Sequence, residues 1–373
     1  METESDAGPT PTVDGGTVAQ PSTAAAVRTN VRDGFVAEAE WMRSYGVAAL
    51  ASGPDAQAAF SRLNGAEAQI VEAVAPLSGD ANAAQLNDLL HARANAFADL
   101  VTSMNSHAAS ATTDPQAALD ANAQQIAEFF VTLCPNAFPA NAGDFLESAN
   151  RSMAAGLQAR ATNDAATAIA DFDAAQASSV RFADTVGVAL TSTFGSALAP
   201  ATTTRTEDGL ALDLHLLFGD QVFWTRAYIV DHSMNVPTQP ELDRAVKATQ
   251  DMGSIFSSYF GPDTGAQLQG YIHTDTSDAV AFLYALETND QGTVDAISAT
   301  WNADTDALAQ FVATTAGVDL VAAQNLLRTG ADRERAMMEA RAKQQWDADA
   351  VSYQLVLESR TELASLLAAS MVK

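Results

Sequence analysis

Lysine is almost missing from this chain of 373 residues. It occurs only at Lys247, Lys343 and Lys373, and Lys and Arg together number 19 against 46 Asp and Glu, for a formal net charge of −27. Nucleic-acid binding draws most of its affinity from basic side chains that displace counterions. No cluster of Lys and Arg exists to do this, so the composition excludes nucleic acid and anionic membrane surfaces as partners. Cys134 is the only cysteine, which rules out a disulfide within the chain and leaves a thiolate zinc site without ligands. Lying in Phe129-Phe130-Val131-Thr132-Leu133-Cys134, it reads as a small buried hydrophobe. No apolar run approaches the ~20 residues that span a bilayer, so no membrane insertion is expected. The opening Met1-Glu2-Thr3-Glu4-Ser5-Asp6 lacks a basic segment followed by an apolar one, and a cytoplasmic location is the expectation. Gly-rich phosphate loops, a Gly-x-Ser-x-Gly elbow and His-Glu-x-x-His are also missing.

What the chain does have is alanine, at 78 positions, within a hydrophobic content of 47%. That content separates it from disordered acidic proteins. A folded protein this acidic and this poor in lysine resembles the proteins of salt-in halophiles, above all haloarchaea. The physical case runs in parallel. At ~1 M salt the Debye length is ~3 Å, so surface carboxylates barely repel one another. In dilute buffer the same charge strains the compact state. Most carboxylates therefore read as solvated surface.

Shifted by about 182 residues, the chain repeats itself. Trp41-Met42-Arg43-Ser44-Tyr45-Gly46-Val47 returns as Trp224-Thr225-Arg226-Ala227-Tyr228-Ile229-Val230, Gln85-Leu86 with His91 as Gln267-Leu268 with His273, and Ala159-Arg160-Ala161 as Ala340-Arg341-Ala342. A repeat this long is a domain duplication, since solenoid units are far shorter. The reading is an all-α protein of two tandem homologous bundles. A disordered low-complexity tail is expected over 1–30, the first repeat over 31–192, a linker over 193–212 and the second repeat over 213–373. Spacings of three and four, as in Phe218, Val222, Thr225 and Tyr228, mark helices. Breaks fall at Ser52-Gly53-Pro54, Pro76 to Gly79, Thr112 to Pro115, Pro135 to Gly143, Pro237 to Pro240, Gly261-Pro262 and Thr288 to Gly292. One helix is expected to stop at Thr329, and a long one from Ala331 onward to hide a short break near Gln345. Each repeat thus holds five or six helices, antiparallel neighbours with short loops.

The duplicated Trp-x-Arg-x-Tyr motif is the strongest local signal. On a helix Trp224 and Tyr228 share a face, and Arg226 lies about 200° away. The structural reading buries the rings and sets Arg226 at their edge, paired with a carboxylate. The functional one makes Trp41, Arg43, Tyr45 and Trp224, Arg226, Tyr228 aromatic walls beside an anion clamp. His91 and His273 occupy equivalent positions, and Asp88 stands three residues before His91, a half-motif of a ferritin-like metal site whose counterpart in the second repeat is Gly270. Trp301 with Asp304 and Asp306 reads as carboxylates at a helix start, where the helix dipole favours them. His107, His215 and His232 have no duplicated counterparts.

Phe223-Trp224-Thr225-Arg226, Tyr259-Phe260-Gly261 and Trp301 with Asp304 and Asp306 give the second repeat a resemblance to a poorly characterised bacterial family of small helical-bundle proteins widespread in bacilli. In that family a His stands three residues before the Trp and others recur in later helices. The first of these positions is Gln221 here (Glu38 in repeat 1), and the next falls near Asp275 and Arg93. If those histidines bind metal, the resemblance implies that this chain has largely lost the site, and it brings no activity with it. The sequence favours a non-catalytic binding or scaffold protein without a required cofactor, with a protein partner or self-association open. A metal-binding bundle using His91, His273 and Asp88 is the first rival. A small-molecule pocket around the Trp/Tyr pairs is the second.

Overall fold

Thr23, Asp114, Asp164, Thr204, Asp290 and Asp319 each turn a side-chain oxygen onto a backbone N–H two or three residues ahead, and so cap six of the twelve α-helices among the described residues. The computed structural model describes residues 22–106, 114–288 and 290–372. Its helices are α1 (Ala24–Leu50), α2 (Ala56–Ser78), α3 (Asp80–Ser106), α4 (Pro115–Leu133), α5 (Gly143–Ala161) and α6 (Ala165–Thr193), then α7 (Arg205–Ser233), α8 (Gln239–Phe260), α9 (Pro262–Thr288), α10 (Gln291–Ala316), α11 (Leu320–Ala342) and α12 (Trp346–Met371). Among the described residues there is no strand, only an isolated bridge between Thr23 and Ala199. No described helix is long and apolar enough to cross a membrane.

Several boundaries differ from the sequence reading. Helix α1 begins at Ala24 and α7 at Arg205, so the helical ends reach into both the expected tail and the expected linker. Residues 1–21 of that tail, and His107, lie outside the described residues. Helix α11 runs unbroken through Gly330, whose missing side chain faces Ser359 and Arg360 of α12 at ordinary contact distance. The expected break near Gln345 is present, between α11 and α12.

Among the described residues six α-helices precede the short 3-10 turn Gly195–Ala197 and six follow it. Backbone irregularities recur with the sequence offset. Ser52 and Asn235, Gly79 and Gly261, and Asn163 and Gln344 are all in the positive-φ region, in equivalent turns. At Gly79 and Gly261, where the next helix starts at once, φ is 79° and 91°, which favours glycine. Packing recurs as well. Helix α1 lies against α2 and α6, as α7 lies against α8 and α12, while α2 meets α12 and α6 meets α8 across the middle.

Helices α1 and α7 form the centre. Arg28 pairs with Asp208, Asp33 with His215, and Arg43 lies over Phe223 and Trp224, so the two helices run side by side in the same direction. One apolar core belongs to each half, around Phe35, Phe130 and Phe182 in the first and Phe218, Phe256 and Leu367 in the second. A third spans both, uniting Trp41, Phe97 and Leu157 with Trp224, Phe282 and Tyr353.

Candidate functional site

The duplicated motif lies at this central junction, where each half lends its arginine to the other half's tryptophan. Arg43 is 4.7 Å from the Trp224 ring centroid, and Arg226 is 5.1 Å from that of Trp41. Each guanidinium also lies beside a further ring, Phe172 for Arg43 at 4.7 Å and Tyr353 for Arg226 at 5.0 Å. Trp41 and Trp224 are 1% and 2% exposed, and Tyr228 is buried, whereas Tyr45 is half-buried against Phe60 and Phe97. The rings thus lie where the structural reading put them. The arginines do not: both are buried, and the carboxylates and rings they meet come from the other half and from α6 and α12 rather than from an exposed edge. The voids beside these residues are only about 10 Å³ each, room for one water molecule at most, so among the described residues no ligand-sized space adjoins the arginine–tryptophan pairs.

Buried carboxylates balance the arginines. Arg226 and Arg341 both donate to Asp349 Oδ2, at 3.1 and 2.7 Å, and Arg341 reaches back to Asp55 in the first half at 2.8 Å. On the other side Arg160 binds Asp231 and Glu241, and Glu241 is 3.8 Å from Arg43. Burial pushes Arg43 down to about 10, which leaves it a cation at neutral pH. Removing one member of a buried pair strands the other charge, at a typical cost of ~3–5 kcal/mol. Arg341 still holds Asp349 when Arg226 is gone, so Arg226→Ala should cost about 3 kcal/mol in urea denaturation in molar KCl. A loss below about 1 kcal/mol would mean that Arg226 behaves as a surface residue.

The metal-ligand candidates are not brought together. His91 and His273 are exposed, Asp88 is exposed, and His91 turns toward Glu67 at 3.6 Å. Among the described residues no three His, Cys, Asp or Glu side chains form a group able to hold a metal ion. Positions 38 and 93 instead hold a buried ion pair, Arg93 Nε to Glu38 Oε1 at 2.8 Å. In the second half Asp275 accepts from Trp301 Nε1 at 2.8 Å and from Arg360 at 2.6 Å, while Gln221 donates to Thr276. Trp301 stands in the middle of α10, so the helix dipole does not account for its neighbours; Asp306 pairs with Arg328, and Asp304 faces Asp278.

Sequence reasoning missed His215. It is buried on α7, with Nδ1 2.9 Å from Asp33 Oδ2 and Nε2 2.7 Å from Ser365 Oγ. The order matches a nucleophile–base–acid relay. Ser365, however, lies inside α12, where backbone N–H groups are spent on the helix and offer no pair of donors to a developing oxyanion. What the chain of bonds does is fasten α1, α7 and α12 together. An apolar-flanked His facing an in-register Asp on the parallel helix was its only sequence signal.

Several clefts open where the halves meet among the described residues, including a shallow one of about 430 Å³ between Pro54, Gln57 and Ala58 and the turn at Gln344, Gln345 and Trp346, and two larger ones. One, of about 520 Å³, is lined by Val47, Leu50 and Gln158 of the first half and Met234, Val236 and Pro237 of the second, with Arg160 at its wall. The other, of about 460 Å³, lies between α1, α2, α7 and α12 beside His215.

Several interior carboxyls are shifted upward. Burial pushes Glu40, Glu67 and Glu334 up to about 8, and, with help from neighbouring carboxylates, Glu241 and Asp278 up to about 7. These values lie above the unfolded range of about 4, so between about pH 4.5 and 8 the folded state holds the extra protons. The resulting stability is fully present at the acid end and is lost as pH rises through 7 to 8. In molar KCl, which screens the surface, the urea midpoint should fall between about pH 5.5 and 8.5. A flat or rising midpoint would contradict these assignments.

Comparison with family models, characterised proteins and solved structures returned no match to the chain.

Proposed function

We propose that this chain is a non-catalytic binding protein of concentrated-salt cytoplasm, made of two duplicated bundles fused into one body so that ligand clefts form along their junction. The observation that carries this reading is that three sizeable clefts among the described residues are each lined by residues of both halves. The Arg43–Trp224 and Arg226–Trp41 exchange supports it by fixing the halves in one arrangement, which keeps the clefts preformed. A duplicated origin is supported by the matched motifs, the helix order and the paired positive-φ turns. Salt adaptation is supported by the charge of −27.

A ligand-observed NMR screen in molar KCl tests the reading. It should return small compounds whose binding is lost when one cleft is filled, by Gly219→Met beside His215 or Val236→Trp beside Arg160. Binders indifferent to both substitutions, or chemical turnover of a bound compound, would overturn it.

A further inference from the structure

The cleft beside His215 is acidic, and every cation at its rim is already engaged. Asp33 and Glu40 of α1, Glu72 of α2 and Glu358 of α12 line it, separated by apolar surface from Val36, Leu216 and Leu357. Arg32 is spent on Asp184, and His215 is held between Asp33 and Ser365. Glu40 lines this cleft and also the small void beside Arg43 and Trp224. It is 3% exposed, its Oε2 accepts from Tyr353 Oη at 2.8 Å, and its buried Oε1 has no hydrogen-bond partner. A buried carboxylate oxygen left this way carries an uncompensated desolvation cost.

The other side of the central helix pair shows how the chain fills a comparable space. There Arg244 of α8 places its guanidinium 5.6 Å from the Trp224 centroid and donates to Asp220 at 2.7 Å and Asp173 at 2.9 Å. By the repeat offsets the matching positions are Arg62, Ala37 and Gln354. Ala37 and Gln354 line the open cleft and Arg62 does not. One side therefore carries its own hydrogen-bonded cation, and the other offers a buried carboxylate whose Oε1 no cation hydrogen-bonds.

We infer that the cleft between α1, α2, α7 and α12 binds a linear aliphatic polyamine, one terminal ammonium donating to Glu40 Oε1 and the others meeting the carboxylates of the mouth. The inference rests on the reading of the junction as a ligand-holding surface. A single metal ion fits poorly, because no three carboxylates converge. Charges spaced along a flexible hydrocarbon match acidic groups separated by apolar wall. In molar salt the exposed Glu72 and Glu358 are screened, so Glu40 supplies most of the selectivity. Asp33 on its own helix, Asp220 and Arg226 on α7, Glu72 on α2 and Tyr353 on α12 surround Glu40, and burial holds it near 8 while the cleft is empty. Capture of an ammonium near neutral pH therefore expels a proton.

Spermidine titrated calorimetrically into the full chain in molar KCl, in buffers of different ionisation enthalpy, tests this. Saturable binding with proton release at about pH 7 is expected. Glu40→Gln should weaken it at least about tenfold and abolish the proton release. Gly219 lines the cleft, and a Cβ there meets nothing within 4 Å, so Gly219→Met should block binding with an unchanged or higher melting temperature. Glu40→Gln keeps the shape of the side chain; should that variant not fold, Gly219→Met alone decides. No saturable binding, affinity within about threefold of the parent in either folded variant, or equal binding of tetramethylammonium, which donates no hydrogen bond, would overturn the inference. If spermidine fails while other screened compounds still bind in a cleft, the inference falls alone. If no compound binds, the binding-protein reading falls with it.

Discussion

Trp224→Ala should lower the stability of the folded chain by ~3–5 kcal/mol, the usual cost of truncating a fully buried tryptophan. That is a large share of a typical ~5–15 kcal/mol. The ring touches Phe223 and lies beneath both Arg43 and Arg244, so its removal also strips two buried guanidinium groups of their aromatic face. Trp41→Ala should cost a similar amount, because Trp41 meets Tyr353 edge-on at 5.3 Å and carries Arg226. Since the contacts cross between the halves, damage in one should be felt in the other. Urea unfolding of Trp41→Ala in molar KCl should remain a single transition at a lower midpoint. Hydrogen exchange should speed up in α12 as well as in α1. Normal protection of α12 in that variant would mean that the halves unfold independently. Trp224→Ala combined with Arg43→Ala should cost less than the two singly, as expected of residues in contact. A Trp224→Ala protein as stable as the parent would remove these aromatics from the core altogether.

The helical architecture was legible in the sequence because the local signals agree with one another. Alanine fills the helix interiors, Asp and Thr stand at their starts, and Gly or Pro marks most of the turns. The junction was not legible. On α7 alone Arg226 points away from Trp224 and Tyr228, which suggests an edge position, yet the surface it points toward is another helix. Residues 218–231 are buried without interruption, as are 37–43 on α1. A helix enclosed on every side has no polar face on which to put Glu38, Glu40 or Arg43, and each must be met by a group distant in the chain. An almost continuous apolar run with isolated charges inside it was the available signal. Amphipathic periodicity is the wrong template for such a helix. Gly330 misled for a simpler reason: it reads as a breaker, whereas one glycine inside a helix packed along α12 does not end it.

Diluting KCl from molar concentration to ~0.05 M should unfold much of the protein, seen as loss of helical circular dichroism. The structure sharpens this expectation, which composition alone suggests. Twelve arginines form ion pairs among the described residues, and most of those partners are interior or between helices. The few cations are thus spent largely on holding helices together, and among the described residues most of the remaining carboxylates are left on the surface. In molar salt each surface carboxylate acts over ~3 Å, but at ~0.1 M over ~10 Å, about the spacing of neighbouring helices. Dilution also strengthens the exposed pairs, such as Arg151 with Asp120 and Arg328 with Asp306, but each is worth at most ~1 kcal/mol. Self-repulsion over the whole surface wins. The buried Arg226–Asp349–Arg341 cluster is little screened at any salt concentration, so Arg226→Ala should lower the urea midpoint by a similar amount at ~1 and ~3 M KCl. Replacing several exposed Asp residues by Asn should restore folding in dilute buffer. A parent melting temperature unchanged from ~0.05 to ~3 M KCl would show that the surface charge does not strain the fold.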